Sequence, residues 1–458
     1  MHEQRRRDRL RRGVPFYIYD KEDGVDWEAT LKRILRTRWL CANKPSDLQS
    51  RGEVFFLKQL QKHRWRTRRP GAAEIFVLPV FMNVAENDGC GYTKQHVANT
   101  LSVIGNSSTF REHASKHLVV WSSPAAVFQK PNSRSKFPSL KPLGVGYNKV
   151  IMGTMECHDR NRHIVAPYNV PEGGDVGAEE YIRGPRPVRL FFGGSTNTRQ
   201  LPPPMNYRTQ PRNYYIRESI VQQWQNISAT APSIHPSIFA FADDVKLGPL
   251  PLCHDLSTAS HDRGACRGSY SAANFSRRAA FVLAPRGETR TTGRPFEALA
   301  HGSIPVLISD RLFQAGLPFE CMVPWRRFSV TVSEASFMCN AATALHQLIS
   351  PIDPAQETAM RVLMYHFRRD VLWKAERSRV AENLLVYVHR KTHANFWPEQ
   401  DCSFPDETRS GTGFFASDEK CRASACCSGV ARPVSLGLSR DAAPSPRRKD
   451  NAMNSFRF

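Results

Sequence analysis

Residues 281–310, FVLAPRGETRTTGRPFEALAHGSIPVLISD, run from a short apolar stretch through a polar loop containing glycine, then an amphipathic stretch, to a second apolar stretch. That order fits strand, loop, short helix and strand, the repeating unit of a parallel sheet covered by helices. Phe281–Ala284 suits a buried strand, and Pro285, Gly287 and Gly293 then break regular structure. The helix is expected to begin near Pro295, since proline is favoured in a first helical turn. Glu297 faces the positive end of the helix dipole, and Gly302 can close the helix in a left-handed conformation. Ile304–Ile308 forms the next strand. Backbone N–H groups at such a helix start can hold a diphosphate, Arg286, Arg290 and Arg294 add positive charge, and Glu297 can accept hydrogen bonds from a ribose diol. A nucleotide sugar carries both groups. An ordinary strand, loop and helix with three solvated arginines has the same pattern, so the loop alone does not settle the matter.

The order of the remaining segments adds to the pattern. Leu283, Pro285 and Gly287, then Thr292, Arg294, Glu297 and Ala298, then Gly302, Ile304, Pro305, Val306 and Asp310 resemble the signature of the exostosin family of glycosyltransferases, with Thr292 in place of a serine. LPF at Leu317–Phe319 and VPWRRFSVTVSE at Val323–Glu334 resemble the continuation of that signature. So do KVIMG at Lys149–Gly153, HIVAPYN at His163–Asn169 and RLFFGG at Arg189–Gly194 upstream. FYIYD at Phe16–Asp20 and the stretch Glu53–Phe81, with His63, Arg66 and Thr67, resemble the family's first two strands and the helix between them. Two departures are visible. Lys116 stands where an acidic residue often precedes the histidine of the central strand, and Ala280 and Val282 replace a serine and a cysteine before the Leu-x-Pro turn.

The resemblance implies an α/β fold of two Rossmann-like domains facing across a cleft, the GT-B arrangement, with donor on the C-terminal domain and acceptor on the N-terminal one. At 458 residues with 41% hydrophobic content, the chain can bury two cores. The expected division is a basic segment at 1–13, an acceptor domain at 14–180, a nucleotide-sugar domain at 181–400 and a basic, disordered low-complexity tail at 401–458. The link falls between Val170 and Pro187, where glycine, proline and acidic residues concentrate. Expected strands are Phe16–Tyr19, Ile75–Leu78, Leu118–Trp121 and Ile164–Ala166, then Leu190–Phe192, Phe239–Ala242, Phe281–Ala284 and Val306–Ile308. The proline-rich insert at 200–210 reads as a surface excursion.

A net charge of +22, from 64 Lys and Arg against 42 Asp and Glu, suits nucleic acid, anionic membranes or acidic saccharides, and composition does not choose among them. Part of it is terminal. The His63–Arg69 run, with Trp65 among four arginines, reads as a grip for a phosphate or a carboxylated sugar, or as the exposed end of a helix. No nucleic-acid-binding motif accompanies the charge, so no nucleic-acid partner is expected. The eleven cysteines have no zinc spacing, Cys253–His254 and His261–Cys266 included, and no metal is expected. Asn106, Asn226 and Asn274 open Asn-x-Ser sequons compatible with the secretory pathway. No apolar run approaches the ~20 residues of a membrane helix. The family's usual N-terminal anchor is not visible before Phe16, and the resemblance implies a Golgi location.

The chemistry implied is inverting transfer from a UDP- or GDP-linked sugar to a glycan acceptor. Arg217, Arg286, Gly287, Thr292, Arg294 and Glu297 are the expected donor-binding residues, and a fixed cationic pocket can stabilise the departing diphosphate without a metal. The acceptor hydroxyl needs a base, for which Glu86, Asp88 and His117 are the candidates by position near strand ends. Asp243 and Asp244 are adjacent but do not form an Asp-x-Asp metal motif. Two other readings remain: a noncatalytic glycan-binding protein on the same fold, and a basic nucleic-acid-binding protein.

Overall fold

Among the described residues nine short runs pair into two parallel sheets, and the order of the strands in space follows their order in the chain. The computed structural model describes residues 13–36, 51–86, 92–122, 140–157, 162–170, 176–193, 216, 217, 220, 223, 272–287, 291–310, 312–320 and 322–392. The expected strand Phe239–Ala242, the insert at 200–210, the sequon at Asn226, the Cys253–Cys266 loop, Asp243, Asp244 and the tail at 401–458 lie outside them, as do Asp88 and Arg290.

The first sheet comprises β1 (Phe16–Ile18), β2 (Ile75–Val77), β3 (His117–Val120), β4 (Ile151–Thr154) and β5 (His163–Val165), in that order and all parallel. Its helices are α1 (Trp27–Arg36), α2 (Gly52–Leu60), α3 (Met82–Glu86), α4 (Tyr92–Gly105) and α5 (Ser108–His113). α1 turns Trp27, Leu31 and Ile34 inward at helical spacing and leaves its cationic positions outside. α5 starts where the Ser107 hydroxyl accepts the Phe110 N–H, an N-cap that ends the preceding turn and feeds the chain toward β3.

After α6 (Ala178–Arg183) comes the second sheet: β6 (Val188–Phe191), β7 (Ala279–Pro285), β8 (Ile304–Ile308) and β9 (Val330–Val332), again parallel and sequential. α7 (Ala272–Arg278), α8 (Arg294–His301) and α9 (Leu312–Ala315) lie between its strands, and α10 (Glu334–Ile349) follows the last of them. β7 and β8 are buried along their whole length, which is why they read as unbroken apolar runs rather than alternating ones. Two α/β lobes with parallel sheets are thus present, the GT-B-like arrangement that the sequence implies.

The last two described helices are α11 (Pro354–Val371) and α12 (Val380–Thr392). A capping box starts α11: Asp353 accepts the Gln356 N–H while the Gln356 side chain accepts the Asp353 N–H. α11 lies along α6, α8 and β8, whereas α12 packs on α2, β2 and β5, so the chain recrosses to the first lobe. Trp373, between them, donates its indole N–H to Pro167 O at 2.9 Å and packs edge-on against Phe56. Gly52 makes room for it. A Cβ there would fall 2.5 Å from Ser122 Oγ and 3.1 Å from the Trp373 indole nitrogen, so any larger residue would push these segments apart.

Candidate functional site at the ends of the second sheet

β7 ends at Pro285, and the chain turns through Gly287, whose N–H bonds Thr291 O at 2.9 Å. A Cβ on Gly287 would meet Thr291 O at 2.9 Å and Arg217 Nη2 at 3.5 Å, which accounts for glycine at this point. α8 then begins at Arg294, with Pro295 in its first turn and Gly302 closing it at φ +76°. Gly302 could not be otherwise. Besides its left-handed backbone, a Cβ would lie 2.9 Å from Tyr181 O.

The sequence-identified residues gather here. Arg294 and Glu297 form an ion pair one turn apart on α8, each about one-fifth exposed. Thr292 Oγ1 lies 3.4 Å from the Arg294 N–H at the helix start. Arg217 reaches the same turn and donates from Nε to Arg286 O at 3.2 Å. Arg217, Arg286, Gly287, Thr292, Arg294 and Glu297 are therefore brought together.

Arg286 has a more specific place than a diphosphate clamp. Its Nη2 lies 3.0 Å from Glu334 Oε2, and Glu334 and Asp310 bond each other's backbone N–H groups, at 3.2 Å to Glu334 Oε1 and 3.0 Å to Asp310 Oδ1. Arg286 follows β7, Asp310 follows β8 and Glu334 starts α10 after β9. One guanidinium and two carboxylates thus tie three strand ends together beneath the loop. With both groups more than four-fifths buried, these are charge-assisted bonds in a poorly solvated place. The sequence contains Asp310 and Glu334, but neither stands out as a pair because 24 residues separate them.

The first lobe contributes Tyr168. Its hydroxyl is 2.8 Å from Thr291 Oγ1, and its ring packs at 5.7 Å on Phe296 of α8. Neither Tyr168 nor Thr291 is singled out by sequence reasoning, although Tyr168 lies in the HIVAPYN run. Tyr168 follows β5, and in a parallel sheet the other strands end on the same side. Glu86 is the last residue of α3 and interacts electrostatically with Glu53 of α2. Glu53 is fully buried and accepts the Asn83 N–H at 3.0 Å and the Val84 N–H at 2.8 Å, fixing the start of α3. Burial pushes its carboxyl up to about 8, against the downward pull of those N–H donors.

His117 does not reach this site. It is fully buried, stacked on Phe76 at 4.9 Å, with Nε2 accepting from Tyr19 Oη at 2.7 Å and Nδ1 donating to His113 O at 2.8 Å. Burial drives its pKa down to about 3, so it is a neutral core histidine rather than a cleft base. The His63–Arg69 run is also elsewhere. Arg66 bridges to Phe16, and Phe16 N–H bonds Trp65 O, placing the run at the amino-terminal end of the first sheet, opposite to the end where Tyr168 meets Thr291.

Among the described residues no group of three or more His, Cys, Asp or Glu side chains is disposed to hold a metal ion. No described helix is long and apolar enough to cross a membrane.

No curated protein is significantly similar to the chain. Among solved structures, sucrose-phosphate synthase (tll1590) from Thermosynechococcus elongatus aligns with 75% of this chain and 72% of its own, at 11% identity and a TM-score of 0.23. The Exostosin GT47 domain matches residues 10–348, a span that includes both sheets and the Arg294–Glu297 turn. The chain therefore belongs to the exostosin GT47 family of glycosyltransferases.

Proposed function

We propose that this glycosyltransferase moves a sugar from a UDP- or GDP-linked donor to a glycan acceptor, with inversion and in the Golgi. The observation that carries the reading is the turn at residues 291–297. There the first turn of α8, Arg217, Arg294 and Glu297 collect around one loop, and Tyr168 of the opposite lobe closes over it. The N–H-rich helix start and the guanidinium groups suit a diphosphate, and Glu297 suits a ribose diol. As the sugar departs, charge builds on the leaving diphosphate. Cations held in place beforehand stabilise that charge without reorganisation. Arg286 acts indirectly, by fixing the loop through Glu334.

Glu86 is the proposed base on the acceptor side, since α3 follows the carboxyl end of β2 and Glu53 fixes its start. Thermal stabilisation by a panel of UDP- and GDP-sugars tests the reading, because a ligand bound to the native state alone raises apparent stability. One donor is expected to stabilise the protein, and Arg294→Ala and Glu297→Ala to abolish that shift while unfolding normally in its absence. Stabilisation equal to wild type in both variants would refute the site. Glycan binding without any donor binding would instead select a noncatalytic glycan-binding protein.

A further inference from the structure

Much of the positive charge lies far from the donor loop, around two concavities. The first, about 490 Å³, opens at the amino-terminal end of the first sheet and is walled by Pro15, Trp65, Arg64, Arg66, Arg68 and Arg69. The second, about 560 Å³, lies between the end of α11 and the start of α12, walled by Tyr365, His366, Arg369, Arg377, Arg379 and Glu382. Glu382 joins them. Its Oε1 is 3.0 Å from His63 Nε2, and the hydrogen bond from His63, reinforced by the charges of His63, Arg64 and Arg379, holds its carboxyl below the usual range. One carboxylate thus feels an arginine from each concavity, so the two are adjacent.

The acidic groups facing the cluster do not neutralise it. Arg66 is taken up by Asp20 and Glu28, Arg379 by Asp370, and Glu376 lies 3.7 Å from Arg377 in open solvent. Among the described residues Arg64, Arg68, Arg69 and Arg369 make no ion pair within 4 Å, and Arg64, Arg68 and Arg69 are exposed. Clustered like charges of this kind repel one another and cost stability, a cost that a bound anion relieves. Guanidinium groups are suited to carboxylates and sulfates, which they can grip through two parallel hydrogen bonds.

We propose that the two concavities form one binding track for an acidic polysaccharide, separate from the reaction cleft, with Arg64, Arg68 and Arg69 on one side of Glu382 and Arg369 and Arg377 on the other. This rests on the acceptor being a glycan and adds its class, uronate- or sulfate-bearing, together with a second point of attachment. A chain held on the track stays at high effective concentration near the cleft between transfers. Single-stranded nucleic acid fits less well: its bases need exposed aromatic platforms, and Trp65, the indole of the track, is only 9% exposed.

The test is fluorescence anisotropy on the full chain with labelled oligogalacturonate and labelled dextran sulfate, which separate carboxylate from sulfate. Neutral dextran and single-stranded DNA of equal charge are the controls. Wild type is expected to bind at least one acidic glycan, to ignore dextran, and to bind DNA more weakly. Replacing Arg64, Arg68 and Arg69 by Ser, or Arg369 and Arg377 by Ser, is expected to weaken glycan binding about tenfold or more and to flatten its salt dependence. Stabilisation by the nucleotide sugar should be unchanged in both variants. Wild-type affinity in the variants, DNA bound as tightly as glycan, binding lost only on deleting residues 1–12, or parallel loss of donor binding would each overturn the track. Glycan binding that depends on these arginines, in a protein that binds no nucleotide sugar, would keep the track and refute the transferase reading instead.

Discussion

Glu53 offers a quantitative check on how the start of α3 is held. Its carboxylate takes two backbone N–H groups at the start of α3, yet the group is fully buried and its pKa rises from 4.5 to about 8. A carboxyl whose pKa is higher in the folded than in the unfolded state stabilises the fold below the unfolded value. That contribution is lost as pH rises through the folded value. Each pH unit between the two costs about 1.4 kcal/mol, so the full interval is worth at most about 5 kcal/mol. Glu53→Gln keeps one carbonyl acceptor and cannot ionise. It leaves one N–H poorly paired, a loss of about 1–3 kcal/mol at any pH. The variant should therefore be less stable than wild type at pH 5, and the gap should close or reverse by pH 8. Thermal unfolding of both proteins followed by circular dichroism at pH 5, 6, 7 and 8 reads this directly. A gap that stays constant would refute the reasoning, because the N–H donors would then be strong enough to keep Glu53 ionised throughout.

Two further outcomes follow from the same geometry. Tyr168→Phe removes the hydroxyl bond to Thr291 but keeps the ring on Phe296. Stability should fall by about 1 kcal/mol, while donor affinity falls further because the loop loses its tie to the first lobe; calorimetric titration with the stabilising nucleotide sugar measures it. His117, with its pKa lowered from 6.5 to about 3, contributes stability present above pH 6.5 and lost as pH falls toward 3. His117→Gln should flatten that acid-side loss in denaturant titrations and leave the pH profile of turnover per folded molecule unchanged. A shifted turnover profile would return His117 to the list of bases.

The central strands of the second sheet were legible because β7 and β8 are buried along their whole length. Unbroken apolar runs such as Phe281–Ala284 and Ile304–Ile308 carry a strong signal, and the turn between them is punctuated by Pro285, Gly287, Pro295 and Gly302 at positions that geometry requires. β4 and β9 were not among the expected strands. Gly153 and Thr154 break the apolar run of the one, and Thr331 is exposed in the other. The charged residues of the site were harder to read. Sequence spacing brought Arg294 to Glu297 on one helix face, but nothing local brings Arg286 to Glu334 or Tyr168 to Thr291. Those contacts arise only once three strand ends and two lobes are adjacent. His117 misled for a related reason: a histidine opening a strand looks accessible until Tyr19, Phe76 and Phe110 enclose it.

The return of α12 bears on what holds the lobes at a fixed angle. Leu384, Leu385 and Val388 of this helix are fully buried, and α12 packs against α2, β2 and β5 of the first lobe. At roughly 1.5–3 kcal/mol per buried aliphatic side chain, those three are worth about 5–9 kcal/mol, which is comparable with the whole net stability of a typical domain. A fragment ending near residue 180 would forfeit that contribution and expose the face it covers. We therefore assign α12 to the first lobe despite its place at the far end of the sequence. The segment joining α11 to α12 then has a mechanical role. Trp373 is anchored to Pro167, and the next residue but one along that strand exit, Asn169, is buried close to the turn that carries Tyr168. The Gln59 side chain donates to Trp373 O at 3.0 Å and its carbonyl accepts the Ala381 N–H at 3.3 Å. One crossing is thereby locked to the first lobe on both sides of the turn, and the outgoing crossing carries the tyrosine that touches Thr291. Rotation of one lobe against the other must strain both crossings together, so the same few residues hold the two lobes in register.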